Sequence, residues 1–164
     1  MLKFSTLVAF LLIIFSLSVN ANENIISGVW HKLDSKLLKE ERQFAVYLPP
    51  SYVTNNETKY PVMFVLDGDE SRFRAITGLV ESLSTNTLGS QIPEFIVIAI
   101  PNTDRNRDLT PTAVDFTFKD QMLDKLTTSG GANKFVGFIK DELIPYVNGT
   151  YRANETRLLV GESF

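Results

Sequence analysis

The sequence has no cysteine and only one histidine, His31, among its 164 residues. The lack of cysteine excludes disulfides, a thiolate nucleophile and zinc sites with cysteine ligands. A single histidine also excludes a histidine-rich metal site, so a site built from carboxylates alone is the metal site left open. The sequence therefore predicts no cofactor.

Charge of one sign is also scarce, since the formal net charge is only −3. A near-neutral chain without a basic stripe is not typical of a nucleic-acid-binding protein. What the chain does have is 44% hydrophobic and 11% aromatic residues, the composition of a globular protein. Its length is sufficient for one domain with a substantial core.

The N-terminus has the three parts of a secretory signal peptide. Residues 1–3 include a lysine, residues 6–17 are almost wholly apolar, and residues 19–21 are small enough for a signal peptidase. Cleavage is predicted after Ala21, which leaves residues 22–164 as a periplasmic or secreted chain without a stable membrane span. The alternative is an uncleaved anchor, for which the apolar run is short because a full span needs about 20 residues.

Five segments have the pattern of strands and two have the pattern of helices. The predicted strands are 26–33, 43–48, 61–66, 95–100 and 156–160, and the predicted helices are 71–84 and 133–147. Two of these strands are continuously apolar, as strands buried on both faces are. Apolar strands that alternate with amphipathic helices predict an α/β fold with a parallel sheet covered on both faces. The first two strands, joined by a short polar link, are predicted to be antiparallel.

Two details of the helices can be tested directly. The first helix is predicted to bury one apolar stripe, which consists of Phe73, Ile76, Leu79, Val80 and Leu83. Pro145 is predicted to kink or end the second helix, because proline lacks the N–H that the helix needs.

The last four residues, Gly161-Glu162-Ser163-Phe164, follow a predicted strand and match the front of the nucleophile elbow G-x-S-x-G. Glycine suits this position because the turn is sharp and strained. Ligands of parallel sheets bind where the strands end, which is also where Asp67-Gly68 and Pro101-Asn102 are predicted to lie. The alternative is that Ser163 is an ordinary turn serine.

Several motifs occur in an order that is specific when they are taken together. They are VYLPPSY at 46–52, YPVMFVLDG at 60–68, RNRDLTP at 105–111, ELIPY at 142–146 and GESF at 161–164. Over nearly all of residues 22–164, this order resembles the Putative esterase (esterase D-like) family of α/β-hydrolases. The stretch 105–111 is most similar to the siderophore-esterase branch.

The resemblance implies an α/β-hydrolase fold and a serine carboxylic-ester hydrolase with Ser163 as the nucleophile. It also implies an oxyanion hole formed by the backbone N–H of Gly68 or Asp69 and by that of Phe164. For Asp69 the alternative role is that of a helix N-cap. The implied substrate is a small-molecule or polymer-linked ester, with no nucleic acid and no metal involved.

Arg105 and Arg107 are candidates for binding an anionic part of the substrate. Such a cluster of charges more often holds its own loop in place, which is the alternative for both residues. Neither role can be chosen from the sequence, because each depends on partners elsewhere in the chain.

One part of the family pattern is missing. A serine esterase needs an acid and a histidine, which follow the serine in α/β-hydrolases. The sequence ends at Phe164, and His31, on the first predicted strand, is expected to have a structural role. The chain is therefore predicted to be the N-terminal part of an esterase domain, truncated after the fifth strand and inactive by itself. The alternative is a catalytically inactive binding module with the same fold.

Overall fold

A computed structural model of the protein describes residues 27–86, 88–114, 117–118, 121–122 and 127–162. Its main sheet has five strands in the spatial order β1-β2-β4-β3-β7. These strands are β1 (Val29–Ser35), β2 (Glu40–Tyr47), β3 (Tyr60–Leu66), β4 (Ile96–Ile100) and β7 (Ala153–Val160). A separate small pair consists of β5 (Thr117–Phe118) and β6 (Gln121–Met122).

The sheet is mixed, with its parallel strands together on one side. β1 pairs antiparallel with β2 from Val29↔Val46 to Ser35↔Glu40, and β2 pairs antiparallel with β4. β3 lies between β4 and β7 and runs parallel to both. The predicted α/β fold, the antiparallel first pair and the parallel arrangement after residue 60 are confirmed.

Helices cover both faces of the sheet. They are α1 (Ser51–Thr54), α2 (Glu70–Ser84), α3 (Arg105–Leu109), α4 (Ala132–Gly137) and α5 (Ile144–Thr150), with a π-helical segment (Phe138–Leu143) between the last two. Alternate residues of β3 belong to different cores. Val62 and Phe64 pack in the cluster that includes residues of α4, the π segment and α5, whereas Met63 and Val65 pack in the cluster that includes residues of α2. The apolar residues of β3 therefore contribute to the cores on both faces of the sheet.

The buried stripe of α2 differs from the predicted one. Leu79 is 55% exposed, and the buried positions include Thr77 and Ser84 besides Phe73 and Val80. These four positions follow the 3.6-residue period more closely than the predicted stripe does. A threonine can be buried there because its hydroxyl donates a hydrogen bond to the carbonyl of Phe73 at 2.9 Å.

Pro145 does not end its helix, which continues to Thr150. The irregularity is the π-helical segment just before it, where the N–H of Ile144 donates to the carbonyl of Ile139, five residues back. A proline ring inside a regular helix clashes with the carbonyl four residues earlier. The wider π turn makes room for the ring, so the helix bears the proline without ending.

Two short helices were not predicted. Both α1 and α3 lie outside the two predicted helices, 71–84 and 133–147. Both are too short to show an apolar period. The predicted signal peptide, residues 1–21, lies outside the described residues. Within the described ranges, no helix has the length and apolar character that crossing a bilayer requires.

Candidate active site

The turns that follow β3, β4 and β7 surround one open cleft of about 570 Å³. Its walls are formed by Asp67, Asp69, Arg72, Pro101, Asn102, Arg105 and Glu162. Because the three strands are parallel, their carboxyl ends lie at the same edge of the sheet, where ligands of such folds bind. The predicted meeting of these turns is therefore observed up to Glu162.

Asp67 is the most constrained residue of the cleft. Its φ of +52° lies in the left-handed region, which aspartate tolerates better than most residues do. Its carboxylate accepts two hydrogen bonds from Arg105, from Nε at 2.8 Å and from Nη2 at 3.2 Å, and a third from the amide of Asn102. Burial raises the pKa of Asp67, but the hydrogen bonds from Arg105 and Asn102 together outweigh burial, and the pKa lies below its usual value.

Gly68 is required by a close approach between two strands. Its N–H donates to the carbonyl of Ile100 at 2.9 Å. A Cβ atom on Gly68 would lie 2.6 Å from the nitrogen of Ile100 and 2.8 Å from the carbonyl oxygen of Val65. The backbone therefore leaves no space for a side chain at this position.

Replacing Gly68 with alanine should lower the free energy of unfolding by about 1–3 kcal/mol, the usual cost of overpacking. Urea denaturation of the full-length protein measures this loss. Gly78→Ala in α2 is the matched control, because a Cβ there has no neighbour within 4 Å. The control should be neutral or stabilising by about 0.5–1 kcal/mol, since alanine favours helices. Equal effects of the two substitutions would contradict the steric explanation.

Asp69 joins the cleft to helix α2. Its carboxylate accepts the N–H of Arg72 at 2.8 Å, so the alternative role given for it, that of a helix N-cap, is observed. Its own N–H donates to the carbonyl of Asp67 at 2.9 Å, in a tight turn of three residues. Of the two candidate oxyanion donors, Gly68 is bonded to the neighbouring strand, whereas Asp69 lines the cleft.

The chain reaches the cleft again at the end of β7. A Cβ on Gly161 would lie 3.5 Å from Cδ1 of Leu66, which places this residue beside the end of β3. The carboxylate of Glu162 accepts a hydrogen bond from Arg72 at 3.0 Å, and its carbonyl oxygen lies 3.4 Å from Nη2 of Arg105. Ser163 and Phe164 lie outside the described residues.

Residues 35–164 match the Putative esterase family. The chain belongs to this family. It is similar to an IroE-like serine hydrolase from Shewanella oneidensis, with 37% identity and a TM-score of 0.75 over 82% of this chain and 42% of that one. It is also 29% identical, over 126 residues, to the uncharacterized protein YbbA of Bacillus subtilis (strain 168), covering 74% of this chain and 46% of YbbA.

The likeness extends to more distant structures. The siderophore hydrolase EstB from Aspergillus nidulans has a TM-score of 0.64 at 20% identity, over 87% of this chain and 51% of EstB. These similarities confirm the predicted α/β-hydrolase fold. The chain spans less than half the length of YbbA and of the IroE-like hydrolase.

The two arginines singled out in this esterase-family sequence lie in different places. Arg105 lines the cleft, but Arg107 forms two hydrogen bonds to the carboxylate of Glu40, at 2.7 and 3.0 Å, and one to Asp108 at 2.8 Å. The hydrogen bonds from Arg107 hold the pKa of Glu40 below its usual value. The structure therefore does not bring Arg107 to the cleft, and its contacts are those of a residue that holds its own loop.

Sequence reasoning missed a buried arginine behind this loop. Arg42 is 1% exposed and binds Asp108 at 2.6 Å and the carbonyl of Pro101 at 3.2 Å. Its guanidinium carbon lies 5.1 Å from the ring centre of Phe135 and 5.7 Å from that of Phe138. Arg42 also pairs with Glu40 at 2.9 Å, but its buried partner Asp108 is 66 residues away, so the sequence gives no signal of its burial.

His31 lies on β1, the first strand in the order of the sheet, whereas β7 is the last strand at the other side. Four strand spacings of about 4.8 Å separate the two edges by about 19 Å. Its ring stacks on Phe44 with the ring centres 5.5 Å apart, and its Nε2 lies 3.2 Å from the hydroxyl of Tyr151. These contacts support a structural role. Among the described residues, no three His, Asp or Glu side chains are grouped to hold a metal ion.

Proposed function

We propose that this chain is the nucleophile-bearing part of a serine carboxylic-ester hydrolase, with Ser163 as the nucleophile. The observation that carries the proposal is that Asp69 and Glu162 line the same cleft. One belongs to the turn expected to bind the oxyanion, and the other directly precedes the serine. The similarity to a protein described as a serine hydrolase, at 37% identity, supports the same activity.

In the proposed reaction, the hydroxyl oxygen of Ser163 attacks the ester carbonyl. The carbonyl oxygen gains negative charge in the tetrahedral intermediate, and two backbone N–H groups stabilise that charge. We assign these to Asp69 and Phe164. Both candidate N–H groups in the turn after β3 donate within the protein, Gly68 to Ile100 and Asp69 to Asp67, and Asp69 is preferred because it lines the cleft. Collapse of the intermediate expels the alcohol and leaves an acyl group on Ser163, which water then removes.

The reaction also needs a base for the serine proton and an acid that orients the base. The chain's single histidine, His31, is at the far edge of the sheet. We propose that the catalytic histidine and its acid come from residues after Phe164, in the order that the α/β-hydrolase fold uses. The coverage of only 42% of the IroE-like hydrolase supports this assignment.

For the substrate we propose a small or polymer-linked ester with an anionic group near the scissile bond. Arg105 is the candidate for binding that group, since it lies on the cleft wall and its Nε is fixed by Asp67 at 2.8 Å. Arg107 is not assigned to substrate because Glu40 and Asp108 hold it outside the cleft.

We also propose that the enzyme acts in the periplasm or outside the cell. The support is the apolar segment at residues 6–17 with small residues at 19–21. Removal of residues 1–21 before the enzyme acts is part of the proposal.

A serine-directed fluorophosphonate probe tests the nucleophile in the full-length protein, including any residues encoded after Phe164. Such probes react with a serine activated by a neighbouring base, and hardly with an ordinary serine hydroxyl. We expect one label, on the peptide that contains Ser163, and no label in Ser163→Ala. Ser71→Ala, an exposed serine in the first turn of α2, is the control and should label normally. A folded protein that resists the probe would favour the inactive binding module instead.

A further inference from the structure

Polar contacts form a closed ring around the cleft. This cleft ring consists of Asp67, Asp69, Arg72, Arg105 and Glu162. Arg105 joins the Asp67 carboxylate to the carbonyl oxygen of Glu162, at 2.8 and 3.4 Å. Arg72 joins the carboxylate of Glu162, at 3.0 Å, to that of Asp69, which accepts the Arg72 N–H at 2.8 Å. Asp67 and Asp69 are separated only by Gly68 in the same turn, so the ring closes.

The cleft ring connects two turns that belong to different strands. Asp67 and Asp69 are in the turn after β3, whereas Glu162 follows β7. Glu162 is held at two points, through its backbone carbonyl by Arg105 and through its side chain by Arg72. Because a peptide unit is planar, a hydrogen bond to the carbonyl oxygen of Glu162 also orients the N–H of the same unit. The ring therefore restrains the direction in which the chain leaves Glu162 toward Ser163.

We propose that Arg72 and Glu162 are positioning residues, which hold the turn that carries Ser163 at a fixed distance from the Asp69 N–H. The inference rests on the proposed serine-esterase function, in which these two groups act on the same carbonyl. Neither side chain has to touch the substrate for this role. Displacing reacting groups by about 1 Å can cost about a hundredfold in rate.

The exposure of the pair separates this role from a role in stability. The side chains of Arg72 and Glu162 are 34% and 74% exposed. Exposed ion pairs contribute little to folding, because solvent screens them and ordering two long side chains costs entropy. Loss of the pair should therefore appear in kcat and leave the urea midpoint and KM nearly unchanged.

The experiment measures kcat, KM and the urea midpoint of the full-length protein with a short-chain aryl ester. Arg72→Met and Glu162→Gln should each lower kcat by about tenfold, part of the loss that misplacement can cause. The double variant should be no slower than either single variant, because both changes break the same link. The charge-swapped Arg72→Glu/Glu162→Arg variant should recover part of kcat. If Arg72→Met does not fold, Arg72→Gln also removes the charge with a side chain that favours helices, and a kcat loss without a KM change is still expected.

Arg74→Met is the matched control. Arg74 is on the same helix and forms an exposed ion pair with Glu70, but it does not line the cleft. Its kcat should stay within about twofold of wild type, because neither Arg74 nor Glu70 lines the cleft and exposed pairs contribute little energy elsewhere. The positioning role is wrong if Arg72→Met has a kcat like that of Arg74→Met. It is also wrong if the kcat losses of Arg72→Met and Glu162→Gln multiply in the double variant.

Failure of this inference differs from failure of the proposed function. If the cleft variants keep full kcat while Ser163→Ala is inactive, the serine esterase stands and the positioning role is refuted. If Ser163→Ala keeps full activity, the proposed function is wrong and the positioning role falls with it. A change in KM alone would assign Arg72 to substrate binding, and would also overturn the positioning role.

Discussion

Ser163→Ala should lower kcat of the full-length protein by about a millionfold, as removal of a serine nucleophile does in serine hydrolases. Alanine has no oxygen with which to form the acyl intermediate, so the two-step route is lost. What stays is substrate binding and the two oxyanion N–H groups, which still accelerate hydrolysis by about 10³–10⁴ over water. KM should change by only a few fold, because alanine leaves the rest of the cleft in place.

Steady-state hydrolysis of an aryl ester measures this effect, and circular dichroism verifies that the variant is folded. The control Ser71→Ala changes an exposed serine in the first turn of α2 and should keep normal kcat. The 164-residue chain by itself is expected to be inactive even with Ser163 present, because its single histidine is on β1, at the opposite side of the sheet from β7, the strand that precedes Ser163. Normal turnover by Ser163→Ala would mean that the nucleophile is another residue.

The sheet could be predicted because its strands leave strong local signals. Residues 61–66 and 95–100 are continuously apolar, and the structure shows β3 and β4 buried between two helical layers. The meeting of the turns after β3, β4 and β7 followed from the parallel direction of these strands. These features depend on residues that are close in sequence, so a pattern of a few residues predicts them.

Other features depend on contacts that no local pattern records. The stripe of α2 was misassigned at Leu79 because a hydroxyl bonded to its own helix let Thr77 be buried instead. The helices α1 and α3 have only four and five residues, too few for a period to appear. Distant residues help to stabilise such short helices. The carboxylate of Glu94, 43 residues away, accepts the N–H of Ser51 at the start of α1 at 3.3 Å.

The candidate site also has some features that the sequence predicts and others that it does not. The turns at Asp67 and Glu162 could be placed from the sequence, since each follows a strand. The different positions of Arg105 and Arg107 could not, because their carboxylate partners, Asp67 and Glu40, are 38 and 67 residues away. Arg72 gave no signal either, since it pairs with a residue 90 positions later.

Asp108→Ala should lower the free energy of unfolding by about 3–5 kcal/mol, the usual cost of removing one partner of a buried ion pair. The substitution would leave the Arg42 charge buried, because both residues are only 1% exposed. Arg42 would keep its ion pair with Glu40 at 2.9 Å, but its Nε already lacks a hydrogen-bond partner among the described residues. Urea denaturation of the full-length protein gives the loss directly.

Glu41→Gln is the control for loss of charge alone. Glu41 pairs with Lys32 on the exposed surface of the first hairpin, so its loss should cost less than about 1 kcal/mol. If Asp108→Ala costs no more than Glu41→Gln, burial of the Arg42 charge does not decide stability here.

The double variant Arg42→Met/Asp108→Leu separates the cost of an unpaired charge from the value of the pair. An apolar pair of similar volume often matches or exceeds a buried ion pair in stability, because no charge has to leave water. The double variant should therefore recover most of the loss seen in Asp108→Ala. Its kcat should stay below that of wild type, because Pro101 lines the cleft and its carbonyl loses the hydrogen bond from Arg42. A stable but slow double variant would show that this buried pair serves the geometry of the cleft more than the stability of the fold.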